Sequence, residues 1–409
     1  MQTIAIVGAN VGGGRAAEAL RQEGFDGRIV LIGAEPERPY ERPPLSKELL
    51  WGTAEEERLY LRPEAYYAEQ QIELWLGVRA TGLDPAARQL QLADGRSLPC
   101  DKLLIATGAA PRWLQVPGAD LDGILVLRTL ADARALRRRI EGARRVVVVG
   151  AGFIGAEVAA SCRRAGLEVV ALEAAAVPLE RALGSEVGQI YAEIHRAHGV
   201  DLRTNEALAG FRGQGKVEQV LGTSGAAFEC DFALVGVGVR PECGWLEGSG
   251  VALENGVLVD ELCRTNVPEV YTAGDVANWW HPRLGERLRV EHYDNAQNQG
   301  VAAARSMLGR GEPYGPVPFF WSDQYGLNLQ YVGHASGQDE VVLRGSVEDG
   351  SWSAFYLRDG RLRAALGVNR YRDVSAARQL IAHQAPVEAR QIADEATDLR
   401  ALARAVSGS

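Results

Sequence analysis

A strand, a glycine-rich turn, a helix and a second strand follow one another twice in this chain, and this repeat restricts the possible folds most. The first copy occupies residues 3–35 and the second occupies residues 144–173. Each copy begins with a short apolar run typical of a buried parallel strand and continues with a helical period after the glycines. The sequence therefore predicts an α/β protein with two Rossmann-like βαβ folds that each bind a dinucleotide.

The second copy has a complete G-x-G-x-x-G turn. Gly150 makes the tight turn, Gly152 lets a pyrophosphate approach the backbone, and Gly155 lets the helix pack on the strand. Free N–H groups at the helix N-terminus can bind the phosphates. Glu173 ends the second strand, where a carboxylate binds a ribose 2′-hydroxyl and repels a 2′-phosphate, so we expect NADH rather than NADPH. We assign to the NADH site Gly150, Gly152, Phe153, Ile154, Gly155, Glu173 and Arg181.

The first copy departs from this pattern at one position. Asn10 occupies the second glycine position, between Gly8 and the neighbouring pair Gly12 and Gly13. Its Cβ is expected to crowd a pyrophosphate, although asparagine tolerates left-handed backbone and its amide can itself donate to a phosphate. Glu35 ends the second strand, where it can bind a ribose. We interpret this copy as a second, less regular dinucleotide site.

The rest of the chain divides around these two folds. Segments rich in proline and glycine near residues 109–118 and 236–241 indicate domain boundaries. Short alternating stretches from about residue 318 predict an antiparallel sheet, and helices follow it. We expect residues 1–110 and 241–317 to form the first dinucleotide domain, residues 111–240 the second, and residues 318–409 a C-terminal α+β domain.

Charge and cysteine content exclude several classes of function. The chain has 44 basic and 53 acidic residues, and this net charge of −9 argues against a general nucleic-acid or membrane-surface binder. No apolar run reaches ~18 residues and no signal peptide is recognisable, so we expect a cytoplasmic protein. The five cysteines form no C-x-x-C pair, and we expect no metal site. His195 and His198 lie three apart on a probable helix, and we interpret them as surface histidines.

Several further motifs occur in order along almost the whole chain. The most specific is Arg-Pro-Pro-Leu-Ser-Lys at residues 42–47, followed by residues 106–112, 272–275, 295–300 and 320–324. With these motifs the chain resembles the FAD-dependent NADH:ferredoxin reductases of bacterial oxygenase systems, of the putidaredoxin reductase and biphenyl dioxygenase reductase type. The resemblance implies that the first fold binds FAD and the second binds NADH.

The resemblance also implies roles for individual side chains. Glu35 is expected to bind the adenosine ribose of FAD, and Asp275 its ribityl-phosphate region. Lys47 and Glu157 are expected near the flavin N5, with Trp321 covering one side of the ring, and we predict that these three are catalytic. The residues that we assign to FAD are Gly8, Asn10, Gly12, Gly13, Glu35, Arg42, Lys47, Thr107, Gly108, Asp275 and Trp321.

The cysteine positions indicate how electrons leave the flavin. Disulfide reductases of this superfamily need a C-x4-C pair beside the ring, and residues 40–47 contain a serine but no cysteine. We therefore expect the electrons to leave the flavin directly. The resemblance implies that a ferredoxin, of the two-iron two-sulfur type, accepts them singly, and we expect a monomer or homodimer. A rubredoxin reductase, an oxidoreductase resembling apoptosis-inducing factor, and a redox-responsive NADH-binding module remain alternatives.

We expect a small acidic ferredoxin to dock over the exposed flavin edge, at the predicted junction of the FAD and C-terminal domains, where aromatic and basic residues are frequent. These residues are Trp279, Trp280, Arg283, Arg287, Arg289, Trp321, Arg370 and Arg372.

Overall fold

The computed structural model describes residues 1–407 and divides into two compact units. The first unit comprises Met1–Pro43, Glu55–Ala110 and Val239–Pro316. The second comprises Pro44–Ala54, Pro111–Gly238 and the chain from Val317 onward. The short segment that carries Lys47 therefore belongs to the second unit. The division into three domains stays a prediction.

The first unit is built on a five-stranded parallel sheet. Its strand order places the first strand of the chain between its two partners, as in a βαβ fold. In spatial order the strands are Val270–Thr272, Lys102–Ile105, Thr3–Val7, Arg28–Ile32 and Ile72–Trp75. The helices are Val11–Gln22, Glu64–Glu69 and Tyr293–Met307. Smaller sheets contain Ala80–Asp84, Gln89–Leu92 and Ser97–Pro99, then Val257–Val259, Ala277–His281 and Glu286–Leu288, and finally Ala109–Pro111 with Val239–Pro241.

The second unit contains another five-stranded parallel sheet. Both predicted strand–turn–helix–strand copies are thus present, because their valine-rich strands are buried on both faces. The strands are, in spatial order, Val200–Thr204, Glu168–Glu173, Arg145–Val149, Phe232–Val235 and Ile124–Leu125. The helices are Leu130–Gly142, Phe153–Arg164 and Glu180–Ala197, and an antiparallel sheet contains Leu208–Arg212, Gln219–Gly222 and Ala227–Glu229.

An antiparallel sheet and three helices complete the second unit, as predicted. The turn Tyr325–Gly326, with positive φ at both residues, joins the first two strands of this sheet. In spatial order the strands are Phe319–Gln324, Leu327–Gly333, Arg361–Val368, Ser351–Arg358 and Glu340–Ser346, and the helices are Tyr371–Ala382, Ala389–Ala393 and Leu399–Ser407. Within residues 1–407 no helix has the length and apolar character needed to cross a membrane.

Candidate functional site

In the glycine turn of the second parallel sheet, Gly152 leaves room for a ligand and Gly155 is needed for packing. A Cβ added to Gly155 would lie 1.9 Å from the carbonyl oxygen of Gly150, so only glycine lets helix and strand pack this closely. A Cβ added to Gly152 would meet no described atom within 4 Å. The helix begins at Phe153, so Gly152 is its N-cap and the N–H groups of the first turn are left without partners in the helix.

Glu173 lies at the end of the neighbouring strand, and the backbone holds its carboxylate. Its Oε2 accepts a hydrogen bond of 2.7 Å from the Ala151 N–H, and its Oε1 accepts one of 2.9 Å from the Ala175 N–H. A carboxylate oxygen can accept further bonds, so both remain able to bind ribose hydroxyls. Phe153 packs edge-on against Phe320 at 4.8 Å, whereas Ile154 and Arg181 are exposed.

The glycine turn of the first unit uses its asparagine differently from the prediction. Asn10 has extended backbone, with φ −127°, and is the N-cap of the helix Val11–Gln22. Its Oδ1 accepts from the N–H of Gly13 at 3.2 Å, and its Nδ2 donates to the carbonyl oxygen of Ala106 at 2.6 Å. The tolerance of asparagine for left-handed backbone is therefore not used here, and its side-chain amide bonds to protein backbone groups. Gly8 precedes this cap with φ +125°, and Gly12 lies in the first helical turn.

A charged cluster in the first unit brings together two predicted FAD residues. Arg42 donates to Oε1 of Glu35 at 2.6 Å, and the Tyr40 hydroxyl donates to Oε2 of the same carboxylate at 2.5 Å. Burial lowers the pKa of Arg42, but Tyr40, Glu35 and Asp275 together raise it above its usual value. Asp275 therefore lies within electrostatic range of this cluster. The sequence analysis did not identify Tyr40, although it lies in the same segment.

The remaining predicted FAD residues of this unit lie at the ends of its parallel strands. Thr107 follows one strand and donates to the carbonyl oxygen of Glu242 at 2.6 Å, and Gly108 beside it has φ +71°. Asp275 follows another strand and is buried. The fully buried Gln299 accepts from the Gly274 N–H at 2.8 Å, while its Nε2 has no hydrogen-bond partner among residues 1–407. A buried donor without a partner fits a site that a polar cofactor completes.

The second unit contains a buried ion pair between Lys47 and Glu157, two of the predicted catalytic residues. Their side chains are 4% and 5% exposed, and Lys47 Nζ lies 3.3 Å from Oε1 of Glu157. Two buried hydroxyls also donate to the carboxylate, Ser46 to Oε2 at 2.5 Å and Ser322 to Oε1 at 2.6 Å. Three donors from three side chains therefore surround this one buried carboxylate.

Lys47 has a second acidic partner. Its Nζ lies 3.4 Å from Oδ2 of Asp323, whose side chain is 31% exposed, and 5.8 Å from the ring of Trp321. The strand Phe319–Gln324 thus brings Trp321, Ser322 and Asp323 to the lysine. The sequence analysis placed all three in one motif but predicted a role only for Trp321.

A chain of buried polar groups continues from Ser322. Gln324 Nε2 donates to the Ser322 hydroxyl at 3.2 Å, and Gln324 Oε1 lies 3.0 Å from Nε2 of His195. The prediction that His195 is a surface residue is therefore wrong, whereas His198 is exposed. Desolvation lowers the pKa of His195 to about 4. Its burial could have been found from the sequence, since it continues the four-residue spacing of Leu183, Val187 and Tyr191.

Trp279 and Arg289 were predicted to lie on the docking surface, and Cys162 bears on the prediction that no thiol takes part. Trp279 is fully buried and belongs to the core of the first unit, so its predicted role in docking is wrong. Arg289 is mostly buried and pairs with Glu291 at 2.7 Å. Burial raises the pKa of Cys162, on the same helix as Glu157, to about 12, which makes it a poor thiolate. Within residues 1–407, no group of three or more His, Cys, Asp or Glu side chains could hold a metal ion.

Comparisons with known proteins cover both units. A family model described as pyridine nucleotide-disulphide oxidoreductase matches residues 2–300, and one described as reductase C-terminal matches residues 319–403. The chain is 39% identical to the ferredoxin reductase component of chlorobenzene dioxygenase from Cupriavidus sp. (strain PS12), over 99% of this chain and 98% of that protein.

Two solved structures have the same fold. One is the ferredoxin reductase for the CYP199A2 system from Rhodopseudomonas palustris, with 37% identity and a TM-score of 0.95 over 98% of this chain and 100% of that chain. The other is the reductase in the covalent putidaredoxin reductase–putidaredoxin complex, with 35% identity and a TM-score of 0.96 over 100% of this chain and 99% of that chain.

Proposed function

Because the chain belongs to the pyridine nucleotide-disulphide oxidoreductase family, we propose that it takes hydride from NADH onto FAD and passes single electrons to a ferredoxin that serves an oxygenase. We further propose that residues 1–110 and 241–317 form the FAD domain, residues 111–240 the NADH domain, and residues 318–409 the C-terminal domain. A two-iron two-sulfur acceptor, a monomeric or homodimeric state and a cytoplasmic location complete the proposal.

The observation that carries this proposal is the buried Lys47–Glu157 pair, together with the absence of a cysteine from residues 40–47. Two charges held at 4% and 5% exposure are costly to desolvate, which makes this pair a candidate for a functional site. A disulfide reductase would need a low-pKa thiol there, and burial raises the pKa of Cys162 instead. This combination favours an enzyme whose electrons leave the flavin directly.

The side chains of the proposed site have two kinds of role, which are binding FAD and stabilising charge. FAD, when bound, supplies both hydride and single-electron chemistry. We propose that Glu35 and Arg42 hold its adenosine end, that Asp275 binds near its phosphates, and that Trp321 covers the ring. In this proposal the ammonium of Lys47 stabilises the negative charge that reduction adds, and Glu157 keeps that ammonium in place.

Glu173→Ala is expected to reduce the preference for NADH over NADPH. Loss of the ribose hydrogen bond costs ~1–3 kcal/mol, so kcat/KM for NADH should fall roughly tenfold or more. Removal of the charge should also relieve the repulsion of the 2′-phosphate. Steady-state kinetics with both nucleotides measure the change.

Glu168, exposed at the other end of the same strand, provides the matched control. Glu168→Ala should leave the nucleotide preference at its wild-type value. An unchanged preference in Glu173→Ala would contradict the assignment of the ribose site.

NADH-driven reduction of an acidic ferredoxin tests the overall function, and its rate is expected to fall with salt. The Debye length shortens from ~10 Å at 0.1 M to ~3 Å at 1 M ionic strength, and steering raises association rates by ~10- to 10³-fold. Arg372 is exposed on the C-terminal domain, so Arg372→Glu should slow transfer at low salt and flatten the salt dependence.

A neutral quinone serves as the control acceptor, because its reduction needs the flavin but no charged surface. Electrostatic docking would be contradicted if neither salt nor Arg372→Glu changes the rate of electron transfer to ferredoxin. If the flavin is reduced once and no turnover follows with ferredoxin, rubredoxin or ferricyanide, the protein is instead the redox-responsive binding module.

A further inference from the structure

The proposed reaction releases one proton for every NADH, and this proton has to reach water. A hydride carries two electrons and one proton, whereas two ferredoxins accept only the two electrons. The balance is NADH plus two oxidised ferredoxins giving NAD⁺, two reduced ferredoxins and one H⁺. This inference rests on the proposed function, which places Glu157 and Lys47 at the flavin. Glu157 is the buried carboxylate of that cluster, and its contacts with Ser322 and Lys47 each continue to further polar side chains.

The first route passes through Ser322, Gln324 and His195, and its hydrogen bonds all run toward Glu157. Gln324 uses its nitrogen to donate to Ser322, so its oxygen accepts from Nε2–H of His195. Nδ1 of His195 then accepts from the Tyr325 hydroxyl at 2.9 Å. A proton leaving along this route would reverse every bond and pass through a carboxamide, which is neither an acid nor a base near neutral pH. This route therefore orients the Ser322 hydroxyl and does not conduct protons.

The second route passes through Lys47. Its Nζ lies 3.3 Å from Glu157 and 3.4 Å from Asp323, so one ammonium touches a carboxylate that is 5% exposed and another that is 31% exposed. An ammonium has three N–H bonds, so it can give one proton to Asp323 and take another from Glu157. Asn328 donates to Oδ1 of Asp323 at 2.6 Å, which leaves Oδ2 directed to the lysine.

We propose that Asp323 is the proton outlet of this enzyme. FAD, when bound, would release the proton of the hydride as its electrons leave, and this proton forms an O–H bond on Glu157. That O–H bond then breaks as an N–H bond forms on Lys47. A different N–H bond of Lys47 breaks as an O–H bond forms on Asp323, and Asp323 then loses the proton to water. Glu157, Lys47 and Asp323 return to their starting charges, and no further oxidant or reductant is needed.

Single-turnover experiments can follow the proton separately from the electrons. Holoenzyme reduced with one equivalent of NADH is mixed with excess ferredoxin and a pH indicator in weak buffer. In wild type the indicator should change together with ferredoxin reduction. In Asp323→Asn we expect proton release to slow ~10²-fold or more, with a larger solvent deuterium effect. Asp323→Glu and added acetate should each restore the rate, which a purely structural role would not produce.

Two variants serve as controls. Asp349→Asn lies in an exposed turn of the same antiparallel sheet and should release the proton at the wild-type rate. Gln324→Leu interrupts the first route, which we expect only to orient Ser322, so it should slow proton release far less than Asp323→Asn does. The proposal is overturned if Asp323→Asn releases the proton normally, if Gln324→Leu slows release as much as Asp323→Asn, or if Asp323→Asn slows flavin reduction by NADH as much as it slows release. Wild type that reduces no ferredoxin would contradict the proposed function instead.

Discussion

Lys47→Ala is expected to slow flavin reduction by NADH ~10²- to 10³-fold, the usual effect of removing one preorganised electrostatic group from an active site. The ammonium is 4% exposed, so water cannot replace its charge. NADH binding should change little, because we assign Glu173 and the turn at Gly152, and not Lys47, to the nucleotide site. Stopped-flow reduction across NADH concentrations separates the limiting rate from the dissociation constant.

The same substitution leaves Glu157 buried without its cation, which destabilises a protein by ~3–5 kcal/mol. The matched control is the double variant Lys47→Met with Glu157→Gln, which removes both charges and keeps similar volumes. We expect thermal stability to recover in the double variant while flavin reduction stays slow. A limiting rate in Lys47→Ala equal to that of wild type would rule out the electrostatic role.

Gly152→Ala is expected to weaken NADH binding ~10²-fold or more while FAD content and stability stay at wild-type values. Gly152 has φ −72° and ψ −177°, which alanine adopts freely, and its Cβ would meet no described atom within 4 Å. The methyl group would instead occupy the space that we assign to the pyrophosphate. Two lost hydrogen bonds to a charged phosphate cost ~1.5–3 kcal/mol each. Titration of NADH binding measures the loss directly.

Gly155→Ala provides the contrast within the same turn. Its Cβ would lie 1.9 Å from the Gly150 carbonyl oxygen, so the helix and strand would have to separate. We expect this variant to lose thermal stability as well as NADH binding. Equal NADH affinity in Gly152→Ala and wild type would mean that the pyrophosphate does not approach this glycine.

The sequence by itself determined the two dinucleotide folds and the C-terminal sheet. Each parallel fold is set by about thirty consecutive residues, in which strand hydrophobicity, turn glycines and helical period agree. The strands Thr3–Val7 and Arg145–Val149 begin and end where the pattern predicts. The family motifs also indicated Lys47, Glu157 and Trp321 before any distance was known.

Only the tertiary structure decided which side chains meet. Glu157 contacts Ser46, Lys47 and Ser322, each of which lies more than one hundred residues away in sequence. Lys47 also contacts Asp323. No local period encodes such contacts, because they depend on how separate elements pack. The same reason explains why Trp279 is buried. The burial of His195, in contrast, follows the four-residue spacing of its own helix. The proton outlet that we propose therefore follows from packing, while the nucleotide sites follow from local sequence.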